Sequence, residues 1–510
     1  MKTRYSFVSF IALLFALPAV AQTGAAPGSA LTGNQSGGES PVLPVANPAG
    51  PIGKPKPGYN FFGSLKLRAE DYNWYPTDKA NGAYTFGFSL LRGGFLRQTS
   101  RDDEFLELAA PLLINTPTQA LASAPQGQLG SGATYRLQNG GKVANVFVKQ
   151  AYVRFKNQGA KENSLRLGRF EFADGSETTP ADVNLAYIKA NRINQRLIGP
   201  FAYTLSGRSL DGGQFTIARP KENYTAILAF PTRGGFDLNG SDTLSSVDIA
   251  YFNATYSQPG KNVSGEGRLF AIYYGDNRTG TVKVDNRTAA ARTADHSSIS
   301  FATLGGNYIR EAKVGAGKAD GLFWFAGQSG EWGKLKHGAF AFDTEAGYQF
   351  DKTWAKPWFR AGYAYFSGDG SAANNAHGTF IPLVPTSRTY ARFPFFTEAN
   401  LKDFFAQLIL QPSKRATIRA DIHGLKLADN HDLWYSGGGA YDNSTFGYVG
   451  KPSNGHSNLG VLYDISLDYQ VGKQISLYLY GGYSEGGDVQ KAIYKSGSAI
   501  FAYAEAQYRF

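Results

Sequence analysis

Apolar and polar residues alternate with a period of two over most of this sequence, which restricts the chain to strands with two unlike faces. In the final stretch, Ala499 to Phe510, Ala502, Ala504, Ala506, Tyr508 and Phe510 share one face, while Phe501, Tyr503, Glu505, Gln507 and Arg509 share the other. Phe340, Phe342, Thr344, Ala346, Tyr348 and Phe350 alternate with Ala341, Asp343, Glu345 and Gln349. Leu459, Val461, Tyr463, Ile465, Leu467 and Tyr469 alternate with Gly460, Asp464, Ser466, Asp468 and Gln470. Leu65, Leu67 and Ala69 alternate with Lys66, Arg68 and Glu70. Such strands suit a wall between lipid and water. An open sheet edge cannot sit in hydrocarbon, so the last strand is expected to pair with the first.

Counting alternating segments gives about eighteen strands, within a range of about 16–20. Their expected centres lie near residues 67, 90, 107, 150, 168, 214, 227, 251, 270, 303, 326, 344, 363, 406, 420, 465, 480 and 504. Connections alternate between short turns, such as Thr99 to Asp103 and Gly472 to Gln474, and long polar stretches. The longest stretches are Ile114 to Lys142, Asp174 to Arg208, Gly368 to Asn400 and Ala428 to Ser457. The expected fold is therefore all-β, a single transmembrane barrel of antiparallel strands with short periplasmic turns and long extracellular loops. A barrel of this strand number encloses an aqueous lumen rather than a packed core.

Domain organisation follows from the first residues. Lys2 and Arg4, the apolar run Phe7 to Leu17 and the small residues Ala19-Val20-Ala21 read as an export signal over 1–21. Residues 22–58 are rich in Gly, Pro, Ala and Ser and read as a flexible periplasmic segment. The barrel is expected over 59–510. No later stretch has the roughly 20 apolar residues of a spanning helix. Cysteine is absent, which excludes disulfides and thiolate metal sites.

The 510 residues carry a formal net charge of +11. Lys and Arg are spread along the whole chain rather than clustered as in nucleic-acid binders. That distribution implies a field over a surface or lumen that concentrates anions. Candidate pore-lining cations on the polar strand faces are Lys66, Arg68, Arg154, Arg166, Arg169, Arg268, Arg360 and Arg419. Arg166 and Arg169 share the strand Leu165 to Phe172, so strict alternation turns only one of them inward unless Gly168 marks a bulge. Rings of Arg and Lys select anions in pores, but acidic residues on neighbouring strands can neutralise them.

Thr179 to Leu197 reads as a helix within a long loop, with Thr179 as cap and Pro180 in the first helical position. Its apolar stripe is Val183, Ala186, Tyr187, Ala190, Ile193 and Leu197. Lys189, Arg192 and Arg196 lie beside that stripe and could form a basic gate, or the helix could simply bury its apolar face. The six histidines show no metal-ligand spacing, and no motif orders a catalytic set, so neither a metal, a cofactor nor an enzyme is expected.

A chain ending in Phe510 with Tyr508 two residues earlier resembles the C-terminal signal of Gram-negative outer-membrane proteins. That resemblance implies recognition of the last strand by outer-membrane assembly machinery. From about Leu165 onward the sequence resembles the bacterial alginate export porin family. The pieces that carry it are Leu165-Arg166-Leu167-Gly168-Arg169, Arg196-Leu197-Ile198-Gly199-Pro200-Phe201 with Asp211-Gly212, Ser367-Gly368-Asp369 with Gly378-Thr379-Phe380, and Asp421-Ile422-His423 followed by Asp432-Leu433-Trp434-Tyr435. The resemblance implies an outer-membrane barrel passing an acidic polysaccharide through an Arg-lined constriction, with a periplasmic secretion partner as an option. A porin for small anions such as phosphate, organic acids or sugar acids is the alternative. An outer-membrane enzyme or adhesin with a blocked lumen is an alternative of another class. The family's exporter has a long periplasmic turn before its penultimate strand that helps plug the pore, whereas here only Gly472 to Gln474 stands in that place. Either the long outer loops plug this barrel or it is leakier.

Overall fold

A computed structural model describes residues 55–75, 82–116, 130–157, 162–386, 397–495 and 497–510. The expected export signal, and all but the last few residues of the flexible segment, lie outside the described residues. Eighteen long antiparallel strands close into a barrel. They are β1 Gly58–Asn73, β2 Ala83–Gln98, β3 Asp102–Ile114, β4 Phe147–Asn157, β5 Glu162–Phe170, β6 Leu210–Ala218, β7 Glu222–Pro231, β8 Val247–Gln258 and β9 Val263–Asp276. The second half comprises β10 Ile299–Val314, β11 Gly317–Trp332, β12 Leu335–Gln349, β13 Trp358–Phe366, β14 Leu401–Ser413, β15 Ala416–Lys426, β16 Asn458–Gln470, β17 Ile475–Gly486 and β18 Ser498–Arg509. Every expected strand centre falls inside its strand.

Closure is direct. β1 pairs with β18 from Ser64↔Arg509 to Asn73↔Ile500. Gly63 N donates to Phe510 O at 2.9 Å, and Phe510 N donates to Gly63 O at 3.0 Å. The terminal aromatic residue thus completes the ladder that hydrocarbon demands.

The outward faces are apolar. Leu228, Leu269 and Leu304 are the most exposed of the described leucines, at 71%, 65% and 64%. Tyr59, Phe61, Tyr256, Tyr469 and Phe510 are exposed near the strand ends that carry the short turns, where an aromatic girdle is expected. Connections on that side span two to eight residues. The opposite side carries the long loops 115–146, 171–209, 367–400 and 427–457, with the two-residue turn 333–334 as its exception.

Three local departures have physical causes. First, Phe86, Phe88 and Leu90 point inward, each no more than 2% exposed. Helix α1, Gly130–Asn139, covers this part of the wall, with Tyr135 packed on Phe86. A Cβ at Gly132 would lie 2.7 Å from Tyr84 and 3.0 Å from Phe86, so the small residues let the helix approach. Second, Leu459 is fully buried rather than lipid-facing. The register slips from Leu425↔Gly460 to Lys426↔Asn458, and Gly460 adopts φ +110°, so this bulge turns Leu459 inward. Third, the expected helix 179–197 is shorter. Helix α2 spans Val183–Ile188 and is capped by Asp182, not Thr179, because the Asp182 carboxylate accepts from Asn184 N and Leu185 N. A wide π-turn, Lys189–Ile193, follows and ends the helical run.

Candidate functional site

The loop 171–209 enters the lumen and descends through it. Asp174 fixes its neck by accepting from Leu197 N at 3.0 Å and Ile198 N at 2.9 Å. Asn184 on α2 donates to Glu311 at 2.6 Å and Gln349 at 2.8 Å, near the short-turn ends of β10 and β12. Leu185, Tyr187, Ile188, Ile193 and Leu197 are buried in the main apolar cluster. The helix therefore does bury its apolar face, and the long outer loop fills space that the short turn before β17 cannot reach.

The three gate candidates are ion-paired with the wall. Lys189 bonds Glu266 on β9, Arg192 bonds Glu345 on β12 at 2.7 Å, and Arg196 bonds Asp343 on β12 at 2.9 Å. All three are at most 2% exposed along their side chains. A buried ion pair forms only where good geometry offsets desolvation, so these contacts fix the loop in position. Arg208 closes the other end of the loop. It donates to Val384 O at 2.6 Å, Pro385 O at 3.1 Å and Gly438 O at 2.7 Å, tying three long loops together through backbone carbonyls. Nothing in the sequence distinguishes this arginine from its neighbours.

The strand candidates divide by wall. Arg268 bonds Tyr251 at 2.6 Å and Asp174 at 3.3 Å. Arg360 bridges Asp320 at 3.0 Å and Glu345 at 2.7 Å. Both are thus stitched to carboxylates where the loop docks. Arg419 lies 3.0 Å from Asp421 on its own strand. Arg68 reaches Glu505 at 2.6 Å, with Phe88, Tyr203 and Tyr503 around its guanidinium. Lys66 is 3.9 Å from Glu505, and Arg154 bonds Asp103 at 2.8 Å. Arg166 faces inward, bonding Gln214 with its guanidinium 4.1 Å from the Phe170 ring centre. Arg169 does not line the lumen. It lies opposite Asp211 in register on the outer face, in a bidentate pair at 2.7 Å, so alternation holds through Gly168 without a register slip.

Further inward cations escaped the sequence reading, among them Arg92, bidentate on Glu107 at 2.7 and 2.6 Å, Lys149, 3.3 Å from Glu171, Lys156, 2.6 Å from Asp103, and Lys318, 2.6 Å from Glu311. Lys149 sits at a register slip in the β3–β4 ladder, which alternation does not reveal. On the described inner face from β18 through β6, Lys66, Arg68, Arg92, Lys149, Arg154, Lys156, Arg166 and Arg509 stand against Glu70, Asp103, Glu107, Glu171 and Glu505, a basic excess. The β14–β16 wall is the reverse, with Asp403, Asp421, Asp464 and Asp468 against Arg419 and His423. The geometry can hold a charged solute against one side of the lumen. Among the described residues it presents no ordered nucleophile and base.

Over residues 265–500 the chain matches the alginate export family. Its fold is similar to that of a BenF-like porin from Pseudomonas fluorescens Pf-5, with 10% identity, 89% of this chain and 98% of that one covered, and a TM-score of 0.54. Pseudomonas aeruginosa OccK9 (OpdG) aligns at 12% identity over 88% of this chain and 98% of that one, with a TM-score of 0.51. Pseudomonas aeruginosa OccK11 (OpdR) aligns at 9% identity over 89% and 96%, with a TM-score of 0.50. At these identities the likeness is one of fold. No curated protein matches the sequence. The fold is that of outer-membrane porins, and the protein is an outer-membrane β-barrel.

Proposed function

We propose that this outer-membrane channel, whose residues 265–500 carry the alginate export family pattern, passes an anionic saccharide. The observation that carries the reading is the basic excess on the β18–β6 wall, where, among the described residues, Arg166 faces an amide and aromatic rings rather than a carboxylate. Arginine there can take a uronate carboxylate through two parallel hydrogen bonds. The rings beside Arg68 and Arg166 add flat surfaces suited to sugar faces. Loop 171–209 limits the path, so flux depends on how far that loop withdraws.

The test is the reversal potential of purified channels in a planar bilayer under a KCl gradient. Chloride preference, reduced in Lys66→Gln/Arg166→Gln, with block by added polyuronate, is the expected result. Chloride preference without polyuronate block points to small anions instead. Cation preference of the unaltered channel ends the reading.

A further inference from the structure

The acidic wall brings together side chains that sequence spacing kept apart. Asp421 on β15 lies directly opposite Asp464 on β16, and His423 stands two residues along the same inner face. One potential ligand atom from each of Asp421, His423 and Asp464 lies within 4.8 Å of the others, and all three residues are buried. Like charges directly opposite on an antiparallel pair destabilise it. Arg419 lies 3.0 Å from Asp421 on its own strand, and the Tyr480 hydroxyl lies 3.4 Å from Asp464.

His423 supplies the second observation. Its Nδ1 lies 2.9 and 3.0 Å from the two carboxylate oxygens of Asp403 on β14. Nδ1–H therefore donates to Asp403, and Nε2 is the ring nitrogen left for a further partner. That Nε2 is buried and has no hydrogen-bond partner among the described residues. A carboxylate that orients a histidine whose other nitrogen is free is the usual support of a metal ligand.

We propose that Asp421, His423 and Asp464 bind a divalent transition ion of the Zn²⁺ class on the lumen wall, with Asp403 as the orienting residue. One imidazole nitrogen and two carboxylates suit Zn²⁺. Ca²⁺ and Mg²⁺ prefer all-oxygen shells. Three protein ligands leave a coordination position facing the lumen.

The test uses the full-length barrel in detergent, stripped with chelator and titrated calorimetrically with ZnCl2, CaCl2 or MgCl2. One equivalent of Zn²⁺ should bind, and the two hard cations should not compete. His423→Gln should abolish stoichiometric binding, and Asp403→Asn should weaken it by about 10–100-fold. Heat-modifiable electrophoretic mobility reports whether each variant is folded. Should a variant fail to fold, Co²⁺ added to the unaltered barrel decides the matter. Intense visible bands of a low-symmetry nitrogen–oxygen site support the proposal, and the pale spectrum of hydrated Co²⁺ overturns it. Absence of stoichiometric Zn²⁺ binding, or equal binding by folded His423→Gln, also overturns it.

Discussion

The β18–β6 wall and the β14–β16 wall are made from the same alternating strands, yet they carry opposite charge excess. The first mixes Lys and Arg with fewer carboxylates, and nearly every cation there has an acidic neighbour. The second sets four aspartates beside one arginine and one histidine. Between them, β9–β13 offers Glu266, Asp343 and Glu345, which the inserted loop neutralises. The contrast teaches that lumen charge here is set by two layers. Among the described residues, the β9–β13 carboxylates receive their counter-charges from the loop, whereas the charges of the other two walls come mainly from their own strands.

The contrast can be broken most severely at the covered wall. Arg192→Ala/Arg196→Ala leaves Asp343 and Glu345 short of partners, and each lost buried pair should cost about 3–5 kcal/mol. Reduced resistance to denaturant, together with larger single-channel conductance as the loop loosens, is the expected outcome. Unchanged stability and conductance would separate the loop from the wall. A smaller effect is expected from changing the charge of the other two walls. Asp464→Asn should move the reversal potential toward chloride and Arg166→Gln toward potassium, so shifts of the same sign would dissolve the two-wall description.

The third test concerns the outer hairpin formed by residues 433–437 and 448–452. Lys451 is buried over Trp434 at 4.2 Å, and burial lowers its pKa from 10.5 to about 7. Between those values the folded protein binds fewer protons than the unfolded one, so hairpin stability rises with pH from about 7 to 10.5 and is lost as pH falls through 7. Trp434 fluorescence should titrate with a midpoint near 7, and Lys451→Met should remove the step. The smallest effect belongs to Arg169→Ala. Its outer-face pair with Asp211 should contribute no more than about 1 kcal/mol, and the reversal potential should not move.

Strand positions and faces were legible because period-two alternation is a local property. Lys66, Arg68, Arg154, Arg268, Arg360 and Arg419 all sit on the inner faces that alternation assigns. What those residues touch was not legible, because a lumen joins residues remote in sequence. Arg192 and Glu345 are 153 residues apart, and Arg68 and Glu505 are 437 apart. Helix α1 was invisible for a different reason: Gly130, Gly132 and Ala133 give it no apolar period, and it owes its place to the aromatic wall it covers. The set Asp421, His423 and Asp464 was half visible. Two of its members are neighbours on one strand, but the third arrives only through the register of β15 with β16.

The pairing of β1 with β18 has a kinetic side. Every other neighbouring pair of strands can form once its own connection has been made, but this ladder waits for the entire chain. Bringing ends this far apart together costs about 5 kcal/mol of chain entropy, a sum that grows only slowly with length. Until it is met, the growing sheet keeps two raw edges, each able to recruit a foreign strand. Loss of the twelve residues of β18 would not subtract one strand from eighteen. It would leave the first and seventeenth strands each with an unpaired edge in hydrocarbon and turn a sealed cylinder into a trough.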